Sequence, residues 1–111
     1  MTRYMSLHIL WTPIALQSLS EVFEYTYLEF GELQLRKLTS QIYKATRRIA
    51  TFPQSGRHEV EISEAMGIEY RSTIVISEIS LLYTIDNETL YIEYVKNARQ
   101  DDATMLAKLC E

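Results

Sequence analysis

Three runs dense in Ile, Val, Leu, Tyr and Thr follow one another late in the chain, Tyr70 to Ser77, Ile79 to Ile85 and Thr89 to Val95, separated by the polar breaks Ser77-Glu78 and Asp86-Asn87-Glu88. β-branched and aromatic side chains suit a pleated surface, and short polar breaks between such runs are turns, so the pattern predicts an antiparallel meander. Period-two alternation agrees. Ile79, Leu81, Tyr83 and Ile85 fall on one face, and Ser80, Leu82 and Thr84 on the other. A sheet of this size needs its apolar face covered, and two helical patterns precede it.

Met5 to Leu10 reads as a first strand, ended by Trp11-Thr12-Pro13, with Thr12 as a helix N-cap and Pro13 at the first helical position, where its missing N–H costs nothing. In the helix that follows, Ala15, Leu16, Leu19, Val22, Phe23, Tyr27 and Phe30 lie within about 140° on a wheel of about 100° per residue, with Glu21, Glu24 and Glu29 outside. Gly31 is the expected left-handed cap of an αα-hairpin. The second helix, Glu32 to Thr51, gathers Leu35, Leu38, Ile42, Ala45, Ile49 and Phe52 within about 100° and sets Arg36, Lys37, Lys44, Arg47 and Arg48 opposite. Phe52-Pro53-Gln54-Ser55-Gly56-Arg57 stops it. His58 to Ile62 alternates like a strand, Ser63 to Gly67 reads as a loop, and Ala103 to Leu109 as a tail helix with Met105, Leu106 and Leu109 facing inward. The fold class expected is α+β: a strand, a helical hairpin, then an antiparallel sheet packed on the helices.

Composition narrows the class. With 111 residues, 47% hydrophobic and 23% charged, the chain is expected to be one domain spanning 1–111. No tract approaches the roughly 18 apolar residues of a membrane span, and the opening MTRYMSLHIL lacks a signal-peptide cleavage site, so a cytoplasmic protein is expected. The single cysteine, Cys110, fits a reducing compartment. No cofactor motif or metal-ligand spacing is present in the sequence. A net charge of −4 argues against a protein whose main work is gripping phosphate backbone.

Local charge changes that picture in part. Arg36, Lys37, Lys44, Arg47 and Arg48 put five of the eleven basic residues on one helix face, as a patch for an acidic partner or as a solvated face paired with the acidic first helix. Arg57, Arg71 and Arg99 stand at strand ends, and together at one sheet edge they would form a donor set suited to carboxylate or phosphate. Single surface salt bridges are the alternative. His58, beside Arg57 and Glu59, could pair with Arg71, although one histidine is weak evidence for catalysis; His8, inside a strand, is structural. Eight tyrosines can serve both a core and a contact surface, with Tyr83, Tyr91 and Tyr94 the sheet candidates, Tyr83 and Tyr94 foremost.

Taken in order, Trp11-Thr12-Pro13-Ile14-Ala15, Tyr27 ahead of Gly31, Phe52-Pro53-Gln54-Ser55-Gly56-Arg57, Tyr70-Arg71, Leu82-Tyr83-Thr84-Ile85, Tyr91-Ile92 and Asn97-Ala98-Arg99-Gln100-Asp101 resemble the RelE/ParE toxins of bacterial type II toxin–antitoxin modules. The resemblance implies a small cytoplasmic α+β protein of plasmid-stabilisation type, held as a hetero-oligomer by a cognate antitoxin. Its RelE-like branch cuts mRNA on the ribosome and its ParE-like branch poisons DNA gyrase. RNA cleavage through the 2′-hydroxyl needs an acid, a base and phosphate-binding cations. Asn97 stands where many relatives have His and cannot exchange protons usefully at neutral pH. A ParE-like, gyrase-binding protein is therefore favoured, with partner-binding residues Arg47, Arg48, Arg57, Arg71, Tyr83, Tyr94 and Arg99. The alternatives are a ribonuclease using Arg57, His58, Arg71 and Arg99, or a degenerate binding module.

Overall fold

A computed structural model describes residues 6–111. The Met5 end of the expected first strand lies outside the described residues; the strand itself, β1, is His8–Trp11. Thr12 then caps α1 (Pro13–Phe30), its Oγ1 accepting the Ala15 N–H at 3.0 Å. Gly31 separates α1 from α2 (Glu32–Thr51). Its φ of 88° is the positive value expected, but ψ is −178°, an extended conformation all but restricted to glycine rather than the left-handed helical one. A 3₁₀ turn over Pro53–Ser55 leads into β2 (Arg57–His58), α3 (Val60–Met66), the meander β3 (Arg71–Ile76), β4 (Ile79–Asp86) and β5 (Thr89–Asn97), and finally α4 (Asp102–Leu109).

The sheet order is β1-β5-β4-β3-β2. The three-strand meander is as the alternation predicts. β1 adds to β5 in parallel, from His8 opposite Thr89 to Trp11 opposite Ile92, so the sheet is mixed. The long connection such a parallel neighbour requires is the helical hairpin, which carries the chain away from β1, followed by β2 to β4, which bring it back. Where β1 ends, α1 takes over the β5 edge: buried Ser18 accepts the Val95 N–H at 2.9 Å and donates to Ala15 O at 2.9 Å.

Two sequence expectations fail between Arg57 and Gly67. The strand expected over His58–Ile62 stops at His58, and the expected Ser63–Gly67 loop is the body of α3. Alternation over five residues competes here with good helix formers, Glu, Ala and Met, and with Ile62 and Met66, which share a helical face four residues apart. Gly67 closes the helix in a true left-handed conformation, φ 80° and ψ 9°. Ser63 Oγ fixes the joint, accepting the Tyr70 N–H at 2.8 Å.

Both faces of the sheet are covered, where one was expected. Against the α1–α2 face pack Leu38, Ile42, Ala45 and Ile49 with Leu81, Tyr83, Leu90, Ile92 and Val95. A second cluster, Ile62, Tyr70, Leu82, Tyr94 and Met105, fills the other face beneath α3 and α4, with Leu106 and Leu109 turned inward as predicted. A bulge makes this possible. Leu82 pairs with Tyr94 but Tyr83 with Ile92, so Glu93 is the extra residue and Tyr94 faces away from both Ile92 and Val95. The apolar arc of α1 is only partly used: Ala15 and Val22 are buried, whereas Leu16, Tyr27 and Phe30 are exposed, as Phe52 is at the end of α2. An arc of about 140° is wider than the strip that a sheet edge and one neighbouring helix cover.

Candidate functional site

At one end of the sheet the Pro53–Gly56 turn folds over Tyr83. The tyrosine hydroxyl donates to Pro53 O at 2.7 Å and accepts the Gly56 N–H at 3.1 Å. Arg71 braces the same turn, Nη1 donating to Gly56 O at 2.7 Å and Nε to Glu69 at 2.7 Å. Burial pushes the Tyr83 hydroxyl pKa up, against the Gly56 N–H and the nearby Arg71 and Arg48, which pull it down. From α2, Arg48 Nη2 reaches Thr73 Oγ1 at 2.8 Å and Ile74 O at 3.1 Å, binding the helix to the β3 edge. Arg57 and Glu59 form an ion pair at 3.0 Å, and a cavity of about 380 Å³ lies between Arg48 and Arg57, lined also by Ser55, Ser72 and Ser80. His58 stands opposite Arg71 across the β2–β3 ladder and is exposed, while the Arg71 guanidinium bonds elsewhere.

Arg99 is not part of this group. Arg71 is level with Tyr83 and, through it, with Ile92, and Asn97 lies five residues further along β5. One of those five, Glu93, is the bulged residue, so the ladder advances four steps, from Tyr83 to Ile79 on β4; at about 3.4 Å per step that is roughly 14 Å toward the opposite end of the sheet, and two strands, roughly 10 Å, across. The expectation that Arg57, Arg71 and Arg99 meet at one edge is therefore corrected: β3 and β5 run in the same direction, so the start of one and the end of the other are at opposite ends.

Around Arg99 a different site takes shape. Its guanidinium lies over the Tyr25 ring, 5.3 Å from the centroid, and Nη1 donates to the Tyr25 hydroxyl. Its backbone N–H donates to Asn97 Oδ1 at 3.0 Å. Two grooves share Tyr25 and Asn97. One, of about 360 Å³, runs under the hairpin tip past Phe30, Lys37 and Ile76; the other, of about 320 Å³, runs along α1 past Glu21 and Val95. Sequence reasoning missed Tyr25. The available signal was an aromatic residue lying outside the apolar arc of its helix.

Tyr83 and Tyr94 are corrected as contact residues, being 0% and 2% exposed. Doubly covered strands turn both of these rings into core, and burial raises the Tyr94 pKa against the opposing Gln100 hydrogen bond. Arg47 is exposed, and the basic face of α2 does not pair with α1; its ion pair among the described residues is Arg36–Glu32 within α2, at 2.8 Å. Among the described residues no group of His, Cys, Asp or Glu is arranged to hold a metal ion, and no helix is long and apolar enough to cross a membrane.

No curated protein matches the chain. A solved chain described as the chromosomal ParDE TA system from P. aeruginosa has a similar fold, with a TM-score of 0.65 at 16% identity over 83% of this chain and 96% of that one. The family model described as ParE toxin of type II toxin-antitoxin system, parDE, matches residues 9–102, from β1 to the start of α4, and the chain belongs to this toxin family.

Proposed function

We propose that this toxin acts by binding and poisoning DNA gyrase, and that a cognate antitoxin neutralises it by covering the same surface. The observation that carries the reading is the division of the charged residues between the two ends of the sheet. At the turn end, Arg71 and Arg48 brace the fold and Arg57 is paired with Glu59. At the other end, Arg99, Asn97 and Tyr25 border two open grooves with apolar floors. Such an end suits macromolecular recognition: a planar cation held on an aromatic ring, beside apolar surface that a partner can bury. Arg99 and the exposed Arg47 would meet the acidic residues of a partner, Arg57 doing so only by exchanging Glu59 for a partner's carboxylate. The antitoxin would lay apolar side chains into the grooves and along the hairpin.

Induced expression in growing bacteria tests this directly. A DNA-damage reporter is expected to rise, purified gyrase to accumulate cleaved DNA with the toxin present, and co-expression of a cognate antitoxin to restore growth. Arg99→Ala and Tyr25→Ala are expected to lose the poisoning while unfolding as the parent does. Rapid translation arrest with cut transcripts and a silent damage reporter would instead establish a ribonuclease, and unimpaired growth an inert module of the same fold.

A further inference from the structure

The hairpin helices carry opposite charge. α1 holds Glu21, Glu24 and Glu29 and no Lys or Arg, while α2 holds Arg36, Lys37, Lys44, Arg47 and Arg48 against Glu32. These charges do not neutralise one another from helix to helix: Arg36 pairs with Glu32 inside α2, and Arg48 turns to β3. On wheels of about 100° per residue, Glu21 and Glu24 take the outer flank of α1, and Arg36, Lys44 and Arg47 the solvent side of α2. Leu16, Tyr27 and Tyr43, each more than half exposed, lie between these flanks, on the sides the helices turn toward each other. The outer surface of the hairpin is thus an acidic band, an apolar strip and a basic band, side by side.

From this pattern we infer that the hairpin is a self-association surface whose occupant is a second copy of this chain, an interaction that goes beyond the target and antitoxin binding proposed above. A surface striped in this way is self-complementary for one twofold axis only. With the axis parallel to the helices, the acidic band of each copy meets the basic band of the other and the apolar strips face each other; with the axis across the helices, like charges meet. The favoured arrangement sets each α1 antiparallel to the α2 of the partner, a four-helix layer with opposed helix dipoles adjacent. Because both helices rise about 1.5 Å per residue from the apex at Gly31, residues whose numbers sum to about 62 lie at the same height. Glu24 then falls near Arg36, and Glu21 near Lys44. Helices of about 30 Å laid two abreast, about 20 Å wide, bury about 600 Å² per copy, or about 1,200 Å² in total, the lower limit of a specific interface.

Sedimentation equilibrium of the purified full chain tests the inference. The parent is expected to rise with concentration from 13.0 kDa toward twice that mass, and added salt to weaken the association. Arg36→Glu with Lys44→Glu is expected to weaken it by at least about tenfold, and so is Glu21→Lys with Glu24→Lys. Mixing the two doubly substituted chains is expected to restore it, since each reversed band again meets its opposite; that rescue also excludes misfolding as the cause. A parent that stays at 13.0 kDa throughout overturns the proposal. So does self-association of the reversed chains at parental strength, or a mixture that remains monomeric.

Discussion

Gly56→Ala tests whether the turn over Tyr83 is as tightly set as its distances imply. With φ −76° and ψ 157°, Gly56 has a backbone any residue can adopt, so the constraint is space rather than conformation. A Cβ there would stand 2.2 Å from Tyr83 Oη, 2.8 Å from Tyr83 Cε1 and 2.8 Å from Ser72 O. A free tyrosine tip would swing aside, but this one is 0% exposed and its hydroxyl is bonded to both Pro53 and Gly56. Overpacking of a filled core costs about 1–3 kcal/mol, and each hydrogen bond strained or broken adds about 0.5–1.5 kcal/mol. With two such bonds at stake the sum, about 2–6 kcal/mol, is a large part of the roughly 5–15 kcal/mol that stabilises a typical domain. Equilibrium urea unfolding, followed by circular dichroism, measures it. Tyr83→Phe alone is expected to cost about 1–3 kcal/mol by stranding the Gly56 N–H and the Pro53 carbonyl. The two together are expected to cost less than the sum of the singles by at least about 1 kcal/mol, because deleting the hydroxyl removes the closest clash. Strict additivity, or a Gly56→Ala protein within about 0.5 kcal/mol of the parent, would refute the reasoning.

Further outcomes follow from the core and the caps. Burial, then the charges of Glu93 and Cys110, push the Tyr70 hydroxyl from 10.0 up to about 12. The unfolded chain therefore loses this proton first, so the stability linked to Tyr70 is complete below pH 10 and fades as pH rises toward 12; Tyr70→Phe is expected to flatten the alkaline limb of a stability–pH curve. Tyr83 and Tyr94, shifted in the same direction by burial, steepen that limb. Ser18→Ala leaves the Val95 N–H unpaired where β1 ends, for a loss of about 1–3 kcal/mol and faster hydrogen exchange at that amide. Thr12→Ala removes the acceptor for the Ala15 N–H at the start of α1 and is expected to cost about 1 kcal/mol by urea denaturation.

Periodicity carried far where one element has one buried face. The α2 arc of Leu38, Ile42, Ala45 and Ile49 is buried as read, and the Thr12-Pro13 start and the turns of the meander fall where their chemistry puts them. It failed where packing on a second side decides. Tyr94 lies beneath α3 and α4 because the bulge at Glu93 shifts the register, and a bulge leaves no mark in an alternating pattern. The Val60–Met66 segment illustrates the same limit: five alternating residues are compatible with a strand, and helix formation there is settled by Ile62 and Met66 finding the Tyr70–Leu82 surface. Tyr25 escaped because its role depends on Arg99, 74 residues away.

The candidate site follows from strand direction more than from residue type. Strands buried on both faces leave their ends and edges for partners. In a meander of three, the first and third strands run the same way, so the start of β3, with Arg71, lies at the end where β4 finishes, and the close of β5, with Asn97, lies at the end where β4 begins. Arginines that punctuate successive strands therefore sort by parity, and only alternate ones can converge. Arg71 and Arg57 share an end whose guanidinium contacts hold a turn and an ion pair, while Arg99 faces Tyr25 beside open grooves. A partner spanning both ends would need to reach about 17 Å across the sheet. One engaging the Tyr25–Arg99 end alone needs no such reach, which makes that end the place where substitutions should separate toxicity from folding.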